Sequence, residues 1–205
     1  MPASAWREQT MAGSGSLDEQ RLGVLEGSFS GELLRPETTG YEDARRVYNG
    51  LIDKRPALIA RPRETNDVAA VVAFAHESDL EISIRGGGHG VAGRAVVDGA
   101  LMIDLSLMKQ VSIDPDARTA RAGAGANWGE FNDSAAEHGL ATTGGVVSTT
   151  GIAGLTLGGG LGWLMGKYGL AADNLVSVEL VTADGDVRTA SAEQDPDLFW
   201  ALRGA

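Results

Sequence analysis

After an irregular first quarter, short apolar and polar runs alternate along the chain at spacings typical of strands and helices. Residues 57–60 are apolar and predict a strand. Apolar residues recur at helical spacing over residues 67–76, which predicts a helix capped by Thr65 or Asn66. A further apolar run at residues 80–84 predicts a second strand and completes a β-α-β unit.

The rest of the pattern predicts helices near the beginning of the chain and mostly strands downstream. Residues 17–34 and 41–52 carry apolar positions at helical spacing, whereas residues 96–97, Asp98-Gly99 and 101–105 are typical of strand, turn and strand. Further on, the same reasoning predicts strands at 111–113 and 119–122, a helix at 127–138, a hairpin of 175–182 with 187–189, and a helix at 197–203. We therefore divide the chain into a disordered tail (1–16), an N-terminal helical lead-in (17–53) and one larger domain (54–205).

The composition excludes several classes of site and partner. The 205 residues include 29 glycines and no cysteine, and the formal net charge is −11. Glycine at about twice its usual share of roughly 7% indicates special backbone sites, while the absence of cysteine excludes disulfides, zinc–thiolate centres and cysteine nucleophiles. The negative charge argues against nucleic acid as a partner, and three widely spaced histidines argue against a metal site. Because no run approaches 18 apolar residues and the first residues lack a signal-like pattern, we expect a cytoplasmic protein that does not enter the membrane.

The most informative segment is the glycine-rich loop Arg85-Gly86-Gly87-Gly88-His89-Gly90, which follows the strand predicted at 80–84. Successive glycines let the backbone approach a ligand and allow positive φ, so that neighbouring N–H groups can converge on one anion. Arg85 offers a fork of donors suited to phosphate, and His89 is the one nucleophilic side chain among the glycines. This pattern predicts a diphosphate cradle with a reactive imidazole at its rim.

The same region contains a Gly-x-Gly-x-x-Gly pattern at residues 88–93, which is also the fingerprint of nicotinamide-binding Rossmann domains. That fingerprint requires a helix directly after the loop. Residues 94–104 predict strand, turn and strand instead, so no helix N-terminus is available to receive a pyrophosphate. The pattern therefore argues against a Rossmann domain.

A second glycine-rich region extends from Gly144 to Gly162. Its triple glycine at residues 158–160 is unsuited to a helix, because each glycine costs roughly 1 kcal/mol against alanine. Hydroxyl side chains at residues 148–150 add short donors. Two such loops in one domain predict one long ligand held at both ends, and an extended dinucleotide fits this description.

Five motifs occur in an order that resembles a known family. They are Arg85-Gly-Gly-Gly-His89, Gly144-Gly145-Val-Val-Ser-Thr-Thr-Gly151, Leu157-Gly-Gly-Gly160-Leu-Gly162, Lys167-Tyr168-Gly169-Leu-Ala-Ala-Asp173-Asn174-Leu and Asp195-Pro-Asp-Leu-Phe-Trp200-Ala-Leu-Arg-Gly204. Over about residues 35–205 the chain resembles the FAD-binding domain of the vanillyl-alcohol-oxidase and p-cresol-methylhydroxylase flavoproteins. Within them it is most similar to the berberine-bridge-enzyme-like FAD-linked oxidoreductases. The resemblance implies an α+β fold of two subdomains, with mixed sheets and flanking helices rather than a Rossmann fold, and FAD lying extended between the subdomains.

The resemblance also implies the residues of the site. In the family the histidine of the first loop bonds covalently to the flavin 8α-methyl group, and that position is His89 here. Many relatives form a second bond through a cysteine, whose position is Val147 in this chain, so any covalent link should be single. The cofactor-binding residues that we expect are Arg85, Gly86, Gly87, Gly88, His89, Gly90, Gly144, Gly145, Val147, Thr149, Thr150, Gly151, Gly154, Gly158, Gly159, Gly160, Gly162, Asp173, Asn174 and Val178.

The activity implied by the resemblance is that of an oxidase or dehydrogenase. Such an enzyme takes a hydride from a substrate C–H bond, in an alcohol, sugar or amine, onto FAD, and O₂ or another acceptor reoxidises the cofactor. Relatives continue beyond residues 195–204 into a substrate domain that carries the catalytic base, so we name no catalytic residue and expect a chain truncated before that domain. The apolar surface left by truncation would favour self-association or a partner chain. The alternative is a truncated, non-catalytic FAD- or nucleotide-binding fragment that needs a partner chain.

Other chemically interesting side chains are expected to have structural roles. We expect Asp104 at the surface or in a helix cap, and Arg46 and its neighbour Arg45 to be solvated on an amphipathic helix. Trp163 and Tyr168 follow the triple glycine at near-helical spacing, and we expect them to serve packing, with substrate contact as the alternative.

Overall fold

The computed structural model describes residues 17–204, so the tail predicted at residues 1–16 lies outside the described residues. The helices are α1 (Glu19–Ser28), α2 (Tyr41–Ala44), α3 (Thr65–Glu77), α4 (Trp128–Ala136), α5 (Ile152–Leu157), α6 (Met165–Tyr168) and α7 (Pro196–Leu202). The strands are β1 (Glu32–Leu34), β2 (Leu58–Arg61), β3 (Ile82–Arg85), β4 (Leu101–Asp104), β5 (Val111–Asp114), β6 (Thr119–Ala122), β7 (Ser177–Val181) and β8 (Val187–Ser191). Short 3₁₀ turns lie at Leu105–Leu107 and Ala172–Asn174.

A mixed sheet of four strands, in the order β1-β2-β4-β3, positions the first glycine loop. Strand β1 is antiparallel to β2, while β4 is parallel to both of its neighbours, β2 and β3. Because a parallel neighbour cannot be reached through a tight turn, residues 86–100 cross from the end of β3 to the start of β4. This crossing contains the glycine loop, which therefore lies at the carboxyl end of β3. Strands β5 and β6 form one separate hairpin, and β7 and β8 form another.

Helices and loops cover both faces of the four-stranded sheet, which explains why the first three residues of each central strand, β2 and β4, are apolar. On one face, Leu58 and Leu101 pack in a cluster with residues of α1 and α3. On the other face, Ile59 and Met102 pack with Tyr41, whose buried hydroxyl donates a hydrogen bond to the carbonyl of Pro56. Successive residues of a strand face opposite sides of the sheet, so β2 and β4 are buried along nearly their whole length.

Most of the predicted elements are present, and the α+β class without a Rossmann helix after Gly93 is confirmed. The helix at 67–76 and both hairpins lie within about two residues of their predicted bounds. Helix α4 begins with a capping box, in which Asn127 and Glu130 each accept a hydrogen bond from the other's backbone N–H. It is followed by Gly139 in a left-handed conformation with φ of +65°. Local sequence signals are strong at these elements, because caps and glycine turns depend on neighbouring residues only.

The cap predicted for α3 was wrong, because Thr65 is already the first helical residue and Glu64 is the N-cap. Three further predictions were wrong for another reason. The helix predicted at 41–52 ends at Ala44, because residues 45–52 instead run alongside the first glycine loop and bond to it. The helical lead-in contains strand β1, which pairs with β2 and so belongs to the sheet. Residues 96–97 form no strand; Val96 is buried in the core, and β4 pairs with parallel neighbours rather than with the segment before it. In each case a long-range contact outweighs the local periodicity.

Candidate functional site

The first glycine loop presents a row of free backbone donors. No N–H group from Gly86 to Gly90 donates a hydrogen bond to another residue within 17–204. Gly88, in the middle of the row, has a φ of +69°, which a residue with a side chain rarely adopts. Consecutive N–H groups in such a turn form a concavity suited to an anion. The loop thus has the geometry predicted for it from the sequence.

The second glycine region presents a similar row and is held by the beginning of α4. The N–H groups from Gly144 to Thr149 have no acceptor in the described part of the chain. Beyond them, Trp128 and Gly129 donate backbone hydrogen bonds to the carbonyls of Thr150 and Ser148, at 3.0 and 2.8 Å. A Cβ on Gly144 would overlap the buried indole ring of Trp128, so that the backbone lies directly on this ring.

The two glycine regions meet at Gly87 and Gly151. A Cβ on either residue would overlap the backbone nitrogen of the other, so only glycine permits this approach. Residues that are far apart in the sequence, on a loop after β3 and on the segment before α5, are thereby brought into one site. The sequence predicted a ligand held by two loops, and the structure places these loops side by side.

His89 lies at this junction and is held from three directions. Its Nε2 lies 2.9 Å from the Thr149 hydroxyl, and its Nδ1 lies 3.4 Å from the Thr150 hydroxyl. The ring of Tyr48 stacks on the imidazole with a centroid distance of 4.1 Å and an interplanar angle of 18°. Three of these residues were predicted as cofactor-binding, and the structure brings them together. The sequence analysis did not predict Tyr48 as part of the site. The low helix propensity of Asn49 and Gly50, directly after it, was the available signal that the predicted helix ends before this point.

Arg85 faces the protein interior. Its Nη1 donates to the carbonyl of Ala44 at 3.1 Å and lies 3.3 Å from the carboxylate of Asp104. Asp104 is fully buried, also pairs with Arg61, and accepts hydrogen bonds from the N–H and hydroxyl of Ser106. Of the two roles expected for Asp104, a surface position or a helix cap, the structure shows the cap, and two guanidinium groups hold the carboxylate inside the protein. A phosphate role for Arg85 stays a prediction.

The triple glycine at residues 158–160 lies near the end of the second glycine region. Gly162 approaches the carbonyl of Gly144 so closely that a Cβ would overlap it, and the carbonyl of Gly160 accepts the N–H of Ala171 at 2.9 Å. The triple glycine ends α5, as the sequence indicates, with positive φ at Gly159 and Gly160. The end of the second region is thereby connected both to its beginning at Gly144 and to the segment that follows it.

The last three predicted residues have local partners in this structure. Asp173 accepts the N–H of Leu170 at 2.8 Å, and Asn174 donates to the carbonyls of Tyr168 and Leu170. These contacts shape the turn after α6. Val178 lies in β7, opposite Ala190, in the hairpin beside α3. The cofactor contacts expected for Asp173, Asn174 and Val178 stay a prediction.

Large apolar side chains around the second region are exposed. Trp163 is 87% exposed and Tyr168 is about half exposed, so the packing role predicted for them is wrong within residues 17–204. Val147, at the position where relatives carry a second attachment residue, is also exposed. The expectation that Arg45 is solvated is likewise wrong, because its side chain is almost buried between Glu42 and Asp53.

These residues fit an extended dinucleotide. Two adjacent rows of N–H groups, which have no acceptor within residues 17–204, supply donors for its phosphates, and glycine at the contact point leaves no side chain in the way. Arg85 Nε is buried without an acceptor among the described residues, and exposed apolar side chains provide surface for a flat ring. Within residues 17–204, no helix is long and apolar enough to cross a membrane.

Comparison with known proteins identifies this dinucleotide. Residues 56–191 match the family of FAD binding domains. The chain is 43% identical over 178 residues to (R)-6-hydroxynicotine oxidase of Paenarthrobacter nicotinovorans. The aligned region covers 87% of this chain and 39% of that relative. The chain thus spans about two fifths of the length of the curated relatives that it matches.

Two solved structures share the fold at clear sequence identity. BBE-like 1 of Physcomitrella patens superposes with a TM-score of 0.85 at 35% identity, covering 90% of this chain and 40% of the other. Glucooligosaccharide oxidase from Acremonium strictum, which contains 6-S-cysteinyl, 8α-N1-histidyl FAD, superposes with a TM-score of 0.82 at 34% identity, covering 90% and 39%. The chain therefore belongs to the FAD-binding domains of the berberine-bridge-enzyme-like flavoproteins in the vanillyl-alcohol-oxidase family.

Proposed function

We propose that this chain is the cofactor domain of an oxidoreductase that oxidises a small molecule, an alcohol, sugar or amine, by removing hydride from a C–H bond. The observation that carries the proposal is the junction of the two glycine regions, where two rows of N–H groups without acceptors among residues 17–204 lie beside His89. When bound, FAD supplies the hydride acceptor and passes the electrons on to O₂ or another acceptor.

The chain's own residues would bind the cofactor and hold it in place. The N–H groups of Gly86–Gly90 and Gly144–Thr149 would neutralise the phosphates, and the backbone at Gly87 and Gly151 would lie against the ligand. Thr149 and Thr150, which already contact His89, would lie beside the bound cofactor.

We further propose that FAD is linked once, through His89. The relative from Acremonium strictum has both a histidyl and a cysteinyl link, whereas this chain has no cysteine and carries Val147 at the second position. Linkage would replace one N–H bond of His89 and one C–H bond of the flavin 8α-methyl group by an N–C bond. The two electrons and two protons released in this replacement would reduce O₂ to H₂O₂.

The first test is an absorbance spectrum of the purified protein, repeated on the washed pellet after acid precipitation. We expect yellow colour that stays with the pellet and is lost in His89→Ala. The matched control is His138→Ala, since His138 is an exposed histidine just beyond α4, and it should leave the colour unchanged. Colour released to the supernatant would keep the flavoprotein and remove the covalent role of His89. Failure to take up added FAD would contradict the whole proposal.

The alternative proposal is a FAD-binding fragment without turnover of its own, which requires a partner chain. It is favoured by the exposed Trp163, an apolar side chain of the kind that a partner chain covers. Flavin-dependent oxidation by the 205-residue chain alone would rule it out, whereas activity that appears only with a second chain would support it. A cytoplasmic location stays a prediction, to be tested by cell fractionation.

A further inference from the structure

Residues 44–52, here called the brace segment, lie alongside the first glycine loop over its whole length. The carbonyl of Ala44 accepts from Arg85 Nη1 at 3.1 Å, and the N–H of Tyr48 donates to the carbonyl of Gly88 at 3.1 Å. Asn49 Nδ2 donates to the carbonyl of Val91 at 3.3 Å. At the far end, the Ile52 side chain packs so closely on Gly93 that a Cβ there would touch it. The brace segment precedes the residues that match the FAD-binding family model.

Tyr48 contacts His89 in a way that core packing does not explain. The tyrosine is 68% exposed, yet its ring lies parallel to the imidazole at 4.1 Å. Stacked aromatic pairs favour the stacked arrangement by roughly two- to tenfold beyond the effect of the area that they bury. The contact therefore has an energy large enough to bias the ring orientation of His89 while adding little to the core.

His89 needs such a constraint because its own backbone provides little. It is flanked by Gly88 and Gly90, and glycine neighbours leave a wide range of backbone conformations open. The Thr149 and Thr150 hydroxyls lie 2.9 and 3.4 Å from Nε2 and Nδ1, and such contacts constrain the positions of the two nitrogens more than the tilt of the ring plane. The stack with Tyr48 removes this freedom, since it defines the plane of the ring.

We propose that Tyr48 is a positioning residue, which holds the His89 imidazole in the plane required for attachment of the flavin. The role rests on the proposed covalent link through His89. It predicts that the aromatic face matters and that the phenol hydroxyl does not. Attachment requires the reacting atoms to lie close together and aligned, so loss of the plane slows bond formation without removing the N–H groups that bind the phosphates.

The test compares Tyr48→Leu with Tyr48→Phe in protein purified from riboflavin-limited cells and then supplied with FAD. Tyr48→Leu should bind FAD within about twofold of the wild-type affinity, by flavin fluorescence, and form acid-stable flavin at least about threefold more slowly, the effect expected from losing one aromatic pair. Tyr48→Phe should restore the wild-type rate. The matched control is Leu51→Ala, because Leu51 is an apolar residue of the brace segment that is 91% exposed.

Each outcome has one interpretation. Wild-type protein without acid-stable flavin would contradict the covalent link itself, and the role of Tyr48 with it. A wild-type rate in Tyr48→Leu, or a rate in Tyr48→Phe as slow as in Tyr48→Leu, would overturn the role of Tyr48 alone. If Tyr48→Leu does not fold, the proton spectrum of the FAD-free wild type decides: ring-current shifts at His89, relative to the exposed His138, support the stack, and their absence overturns it.

Discussion

At the scale of single residues, charge burial is the feature that local sequence describes least well. Asp104 follows three apolar residues and precedes a turn, and we expected it at the surface or in a helix cap. The structure instead buries this carboxylate completely between Arg61 and Arg85. Since Arg85 also directly precedes the first glycine loop, the carboxylate anchors the point from which the loop begins.

Replacement of Asp104 should therefore be costly. Removing one member of a buried ion pair leaves the other charge uncompensated, and we expect Asp104→Ala to lower the free energy of unfolding by about 3–5 kcal/mol. Urea denaturation followed by circular dichroism measures this change. Asp43→Ala removes an equally simple pair with Arg46, but both side chains are exposed, and such pairs contribute little. Equal stability of the two variants would show that Asp104 is not an anchor.

At the scale of elements, the junctions between helices and strands rest on a few side chains. Asp67, in the first turn of α3, accepts hydrogen bonds from the N–H and hydroxyl of Ser30 and from the N–H of Arg63. It thereby ties α3 to the connection between α1 and β1. Burial raises the pKa of the Asp67 carboxyl, but the hydrogen bonds from Ser30 and the backbone outweigh this, and the pKa lies below its usual value.

This pKa predicts a defined pH dependence. A carboxyl whose pKa is lowered on folding stabilises the protein above its unfolded-state value, which is 3.8 for aspartate, and loses that contribution as the pH falls through the lowered pKa. We expect Asp67→Asn to lower the free energy of unfolding by about 1.5–3 kcal/mol at pH 7, as is typical for hydrogen bonds to a charged group. Urea denaturation at pH 7 and pH 3 tests this. The difference in urea midpoint between wild type and variant should be smaller at pH 3. A gap independent of pH would contradict the role of the charge.

Elements with strong local signals were predicted correctly, whereas elements that depend on distant partners were not. The capping box at Asn127 and the Asp184-Gly185 turn specify α4 and the last hairpin through residues only a few positions apart. The helix expected at 41–52 has suitable periodicity but ends at Ala44, because Tyr48 and Asn49 bond to the glycine loop about 40 positions away.

At the scale of the whole molecule, the approach of Gly87 to Gly151 joins the two glycine regions into one site. Gly87→Ala should separate them, because its Cβ would overlap the backbone of Gly151, and overpacking of this kind typically costs about 1–3 kcal/mol. We expect at least about a tenfold weaker binding of FAD, measured by flavin fluorescence, and a lower unfolding midpoint.

The matched control for Gly87→Ala is Gly23→Ala. Gly23 lies inside α1, where a Cβ would meet nothing within 4 Å. Alanine there should leave FAD binding unchanged and raise stability by up to about 1 kcal/mol, the usual difference between glycine and alanine in a helix. Wild-type FAD affinity in Gly87→Ala would show that the contact between the two regions is not needed for the site.

The sequence by itself determined the two glycine regions and the reactive His89 among them, because these depend on residue type and on short spacings. The order of its five motifs, through the family that they resemble, supplied the α+β class, the attachment role of His89 and the missing thiol at Val147. Only the tertiary structure decided that Gly87 meets Gly151, that Asp104 is buried between two arginines and that Tyr48 stacks on His89. Each of these contacts joins residues that are at least 19 positions apart, and local periodicity and turn chemistry carry no information about such pairs.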